Sequence, residues 1–152
     1  MVYLLGLLMG VVAGLRTMMP AAALSWAAWL GILKLDGTWL SFLGSIWTVI
    51  LFTILAIGEL VTDQLPSTPS RKVPVQFGGR VVMGVLAGIA IAGPANGLFG
   101  ALAGLIGAVI GTLGGAELRS RLAAHFGRDQ PAAFIEDAIA LVGAALSVLV
   151  LK

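Results

Sequence analysis

Residues 97–117 read GLFGALAGLIGAVIGTLGGAE, and positions 97 to 116 hold no charged side chain. A helix of about 20 apolar residues crosses a hydrocarbon core of roughly 30 Å. Gly97, Gly100, Gly104, Gly107, Gly111 and Gly114 alternate spacings of three and four, which holds them on one helix stripe at a mean period of about 3.5. A second backbone can approach such a stripe closely, so it is a glycine-zipper packing device before it is anything else. Gly6, Gly10 and Gly14 repeat the device at spacing four, as do Gly84 and Gly88. Whether these seams close within one chain or between subunits is open at this level. The stripe is not a nucleotide loop: Gly111-Thr112-Leu113-Gly114-Gly115 runs into Ala116-Glu117 without the Lys-Ser or Lys-Thr of a phosphate cradle. A dinucleotide fingerprint would need a preceding strand.

Outward from this stretch the whole chain has the same character. Of its 152 residues 59% are apolar and 11% charged, with a mean hydropathy of +1.06, far from the usage of soluble domains. The solvent is a bilayer. That composition excludes a disordered chain and a basic nucleic-acid module. With no Cys, disulfide scaffolds, thiol nucleophiles and Cys-ligated metals are excluded too, and no cofactor is expected. Long apolar runs must pair their own amides in lipid, which predicts helices. Six helical segments follow, at 2–14, 17–33, 39–59, 80–93, 97–117 and 133–151, some short or broken. Breaks fall where Pro, Gly and charge coincide. The expected fold is an all-α polytopic transmembrane bundle forming a single integral membrane domain over 1–152. The first apolar run has no Lys or Arg ahead of it, unlike a secretory leader, and reads as a membrane helix.

Charge predicts the orientation. Arg16, Arg71, Lys72, Arg80, Arg119, Arg121 and Arg128 fall on one side of this layout, Lys34 and Lys152 on the other. Excess Lys and Arg mark the cytoplasmic face, so segments 60–79 and 118–132 are expected in the cytoplasm and both termini outside. Trp29 and Trp39, with Tyr3 near the same level and Trp26 and Trp47 about a turn deeper, fit an outer aromatic belt, although Trp47 would serve equally as core. A weak parallel repeat is visible: Gly14 to Met19 resembles Gly78 to Met83, and Gly58-Glu59-Leu60 resembles Ala116-Glu117-Leu118.

Several ionisable residues sit at helix ends rather than in loops: Arg16, Glu59, Asp63, Arg80, Glu117, Glu136 and Asp137. A charge at the bilayer centre costs about 2.5–3.5 kcal/mol on insertion scales. The plainer explanation is capping and interfacial solvation, since acids are favoured at a helix N-terminus. The alternative brings Arg16 and Arg80 onto the carboxylates as a binding or gating layer. The loop from Leu65 to Pro74, with Arg71 and Lys72, is expected to be stiff and to signal orientation more than to bind lipid. His125 has no second imidazole near it in sequence and reads as a solvated loop residue. Ser25, Ser41, Ser45 and Ser147 lie in predicted helices and form no nucleophile elbow.

Gly14-Leu15-Arg16 followed by Pro20, Glu59 with Asp63 and Pro66, and Gly79-Arg80 after the proline-rich loop resemble the membrane-protein family catalogued as domain of unknown function 4126. The resemblance covers most of the chain and implies a small multi-helix bacterial membrane protein, so the expected location is the bacterial inner membrane. It implies no activity. The leading expectation is passage of a small solute or ion through the bundle, gated by the charged layer. An assembly subunit that docks another membrane protein through its glycine faces is the alternative, and a lipid-directed enzyme the third. Catalysis is the less favoured class. Expected partners are the lipid bilayer, an unidentified small solute or ion, and a second copy of the chain in a homo-oligomer; no nucleic acid and no metal are expected.

Overall fold

A computed structural model describes residues 1–64 and 73–152. The loop prolines Pro66 and Pro69 and the bases Arg71 and Lys72 lie outside the described residues. The described chain is all helical: α1 Val2–Leu15, α2 Met18–Trp29, α3 Ile46–Thr62, α4 Pro74–Ala92, α5 Gly97–Phe126 and α6 Asp129–Leu151, with 3-10 turns at Ser41–Gly44 and Pro94–Asn96. Three of these, α4, α5 with its preceding turn, and α6, are long and apolar enough to cross a membrane. At 1.5 Å per residue, α1 with 14 residues and α2 with 12 reach about 21 and 18 Å, so each falls short of a full crossing.

Six segments appear where six were expected, with shifted ends. Pro74 opens α4 at its first position, where a missing N–H costs nothing. The helix then runs through Gly78 and Gly79, so the expected start at 80 was too late. α5 continues nine residues past Glu117, because Leu118 to Phe126 contains no helix breaker. It stops at Gly127, whose φ of +66° is left-handed and typical of the residue past a helix end. α6 begins at Asp129 rather than 133. α2 ends at Trp29, short of 33, because Gly31 turns the chain at φ +72°. The connection 30–45 then buries Leu33, Leu35, Leu40 and Leu43 before α3 begins at Ile46 instead of 39.

The centre of the molecule is a three-helix unit of α1, α4 and α5 sealed by glycine. A Cβ added at Gly10 would come within 2.3 Å of the Gly104 carbonyl oxygen, and one at Gly14 within 2.5 Å of that of Ala108. Those pairings advance together along both chains, so α1 and α5 are parallel. Gly88 against Gly100 and Gly84 against Gly104 run the opposite way, with approaches down to 2.0 Å for an added Cβ, so α4 is antiparallel to α5. Gly107 and Gly111 meet the backbone of α1 at Leu7 and Val11, and Gly6 lies against Gly88 at ordinary contact. The ends of the stripe do less: a Cβ added at Gly97 would meet the Ile89 side chain at 3.8 Å, and one at Gly114 would meet none of the described neighbouring elements within 4 Å. In lipid, association depends on this kind of close van der Waals fit, since apolar side chains gain little by leaving lipid tails.

Around this unit lie α2, α3 and α6. α6 reaches α1 through Gly143, where an added Cβ would meet Val12 at 3.0 Å, and it turns Ala132, Ala133, Ala140, Ala144 and Ser147 inward. α3 packs mainly on α2 and on the 41–44 turn, and buries just Val49 and Ala56. The two halves of the suggested repeat, α2–α3 and α4–α5, therefore differ in packing. Their likeness is also not local: Arg16 ends a helix, whereas Arg80 continues one.

Tyr3 donates a hydrogen bond to Asn96 at one end of the bundle (2.8 Å). Trp26 and Trp29 meet edge to face towards that end, and Trp39 is exposed beside the 93–94 turn. Among the described residues, the charged side chains other than Lys34, Asp36 and Lys152 gather at the other end, past the last turn of α1. Gly111 lies level with that turn, and α5 runs roughly 20 Å beyond it before α6 returns.

Candidate functional site

The site is built on the break between α1 and α2. Arg16 leaves the helix in an extended conformation, φ −141° and ψ 115°, which ends one helix and lets the next start at Met18. Such a break strands four carbonyls and four amides, and here other helices satisfy part of each set. Arg80 of α4 donates through Nη1 to the Gly14 and Leu15 carbonyls at 2.9 and 2.7 Å. Glu59 of α3 accepts the amides of Thr17 and Met18, both at 2.7 Å. Thr17, the residue that would ordinarily cap α2, makes no side-chain cap bond. A cation at the C-terminal end of α1 and an anion at the N-terminal end of α2 both complement the helix dipoles. Glu59 and Arg80 also face each other at 3.9 Å.

Arg16 itself has no exposed surface. Its Nε donates to Asp137 Oδ1 at 2.6 Å, with Nη2 against the same oxygen. Nη1 bonds to Asp63 Oδ2 at 2.5 Å and to the Leu15 carbonyl at 3.1 Å. Glu136 Oε2, 2% exposed as a residue, stands 3.8 Å from Nη2. One guanidinium thus joins the α1–α2 break to α3 and α6. Its planar fork suits several carboxylates at once, which a lysine ammonium could not match.

Arg119 extends the layer to α5. It clasps Asp129 at 2.9 and 2.5 Å, closing the α5–α6 hairpin, and donates from Nη1 to Asp63 Oδ2 at 2.6 Å. The Asp63 carboxylate therefore bridges two arginines from different elements. Gln64 completes the ring by donating to Asp137 Oδ2 at 3.1 Å. Burying charged groups is costly unless opposite charges meet them, and Arg16 has the carboxylates of Asp63 and Asp137 in contact and that of Glu136 at 3.8 Å.

Of the residues singled out from sequence, Arg16, Glu59, Asp63, Arg80, Glu136 and Asp137 come together. Glu117 does not: it pairs with Arg121 one turn along α5, at 2.7 Å, on an exposed surface. Arg119, Asp129 and Gln64 belong to the layer and were missed. Their signal was the unbroken helical run after Glu117, which carries Arg119 back over Asp63. His125 stacks edge-on against Phe126 at the hairpin tip. Among the described residues, no group of three His, Cys, Asp or Glu side chains is arranged to hold a metal.

Two clefts flank α6, and no residue of the ionic layer lines either of them. One, of about 420 Å³, lies between α1 and α6 and runs from Leu15 and Ala138 to Leu146. The other, of about 530 Å³, lies between α2, α3 and α6, from Met19 and Leu141 to Leu30 and Leu149. Both are lined almost wholly by apolar groups. No family model, curated protein or solved structure matches the chain.

Proposed function

We propose that this membrane protein provides a gated passage for a small solute or ion, held closed by the ionic layer, and that it belongs to the family its motifs resemble. The observation that carries the reading is Arg16, a fully buried cation at a helix break, shared by carboxylates from two further helices. Ionisable groups placed at such depth are expensive, and broken helices meeting at a charged layer are a recurrent device of membrane transporters. The apolar linings favour an amphiphilic solute over a hydrated ion. Basic residues crowd the end that carries the layer, which supports a cytoplasmic position for it, with both termini outside.

The assembly reading loses ground on one point. The glycine rows of α1, α4 and α5 are already occupied by one another, so a docking partner or a second copy would need another face. Reconstitution tests the passage. Liposomes loaded with carboxyfluorescein, a small aromatic anion, should leak slowly with the native chain. Asp63→Asn, which breaks the bridge between Arg16 and Arg119, should raise efflux about tenfold or more, since losing one partner of a buried ion pair shifts a two-state balance by at least that much. Efflux equal to that of protein-free vesicles, for both chains and for protons as well as the dye, would exclude a passage.

A further inference from the structure

Helix α3 is attached to the bundle unlike any other. Of its 17 residues, Val49 and Ala56 are buried, while Ile50, Leu51, Ile54, Ile57 and Val61 are exposed. By contrast α2, of 12 residues, buries seven, Met19, Pro20, Ala21, Ala22, Leu24, Ser25 and Ala27. Between α3 and α6 lies the larger cleft, with Ile57 on one wall and Leu141 and Ala145 on the other. Lipid tails are as apolar as these side chains, so parting α3 from its neighbours sacrifices little apolar contact.

The polar ties of α3 are concentrated at its inner end. Glu59 accepts the Thr17 and Met18 amides, Asp63 bridges Arg16 and Arg119, and Gln64 donates to Asp137. Midway there is one neutral bond, Trp26 Nε1 to Thr53 Oγ1 at 3.0 Å. At the outer end Ser45 is extended, φ −76° and ψ 138°, between the helix and the 41–44 turn. That turn is anchored by buried Leu43 and by Thr48 Oγ1 donating to the Phe42 carbonyl at 2.8 Å. A firm pivot at one end, weak apolar contact along the shaft and charged bonds at the far end together describe a latched lever.

We infer that α3 is a lateral flap, pivoting at Ser45 and latched by Glu59, Asp63 and Gln64, whose release widens the cleft beside α6, already exposed along Ile57 and Leu141, towards the bilayer. For its role in solute entry the flap rests on the passage reading above; as a mechanical device it stands apart from it. Bonds at the tip of the lever act over the whole arm, so losing Asp63 frees α3 while the glycine-sealed helices stay in register.

The chain has no Cys, which allows site-specific spin labels. Ile57→Cys with Leu141→Cys spans the cleft. Val82→Cys with Leu102→Cys, both exposed, reports on α4 against α5. Dipolar distances are measured in nanodiscs of phosphatidylcholine and phosphatidylglycerol. With the latch intact the cleft pair should give one narrow distribution. Asp63→Asn should add a second, longer population to the cleft pair alone, and Gln64→Ala a smaller one. An unchanged cleft distance in Asp63→Asn overturns the flap, as does equal broadening of both pairs, which would make Asp63 a determinant of the whole fold. If the cleft opens but carboxyfluorescein efflux stays at the protein-free level, the passage reading falls and the flap stands. If efflux rises at a fixed cleft distance, the flap falls and the passage stands.

Discussion

Helices α4 and α5 meet through bare backbone, Gly88 on Gly100 and Gly84 on Gly104, whereas α3 stands beside an open cleft and reaches the rest of the molecule through carboxylates. Both pairs are apolar helices in the same chain. Water drives side chains together in soluble proteins, but lipid does not. A membrane bundle then has two means of fixing a helix: remove side chains so that backbones touch, or tie polar groups where no water competes. This chain uses the first for its frame and the second for the helices around it.

The sharpest way to break that comparison is to put the same side chain into each half. Gly104→Leu places atoms where the Gly84 carbonyl already stands, since even a Cβ would lie 2.0 Å from its oxygen. Neither backbone can yield without parting three helices, so the cost should exceed the usual overpacking range of about 1–3 kcal/mol, and no folded protein should be recovered. Ala145→Leu faces the cleft beside α3 and should shift stability by less than about 0.5 kcal/mol, as surface changes do. The yield of folded protein from micelles compares the two, with thermal unfolding giving the size of any loss in the variant that is recovered. Equal losses would mean that the frame and its surround are not mechanically distinct.

Next in size is the joint that links the halves. Arg16→Met fits the volume but leaves Asp63 and Asp137 short of their shared cation. Breaking a buried pair from one side costs about 3–5 kcal/mol, and detergent-titrated unfolding should register it. Glu59→Gln is milder: the amide oxygen can still accept from one of the two amides at the start of α2. A loss of about 1 kcal/mol, the usual worth of a helix cap, is expected. A loss as large as that of Arg16→Met would show that Glu59 acts through Arg80 more than through the helix end.

Sequence foretold more of the frame than of the layer. Glycine spacing marked faces of α1, α4 and α5 open to close approach, because small residues in lipid have few other uses, but left open whether those faces meet within one chain. Charges inside apolar ends likewise pointed to Arg16, Arg80, Glu136 and Asp137. Boundaries were harder to see. A charged residue looks like the end of a span, so α5 was cut at Glu117, yet a helix can leave the hydrocarbon and continue in water. That continuation carries Arg119 to Asp63 and Asp129. Nor does spacing along the chain reveal that α1 would be capped by α4 and α2 by α3, because those bonds join positions 65 and 42 residues apart. The cleft is equally invisible, being a property of what α3 fails to touch.

Glu117 gives the smallest effect and the cleanest contrast with its neighbour Arg119. Both sit on the extension of α5, two positions apart, so they point to different sides of the helix. Glu117 faces outward with 58% of its side chain exposed and pairs with Arg121 in the i, i+4 arrangement, for which about 0.3–0.5 kcal/mol is typical. Arg119 turns inward to Asp63 and Asp129. Glu117→Ala should therefore lower stability by no more than that amount, leave dye efflux unchanged, and become indistinguishable from the native chain at high salt, where exposed pairs are screened. Arg119→Ala should open the layer much as Asp63→Asn does, and salt should not mask it. If Glu117→Ala altered efflux as strongly as Arg119→Ala, the charged end of α5 would act as one surface, and the division between an inner latch and an outer solvated face would have to be given up.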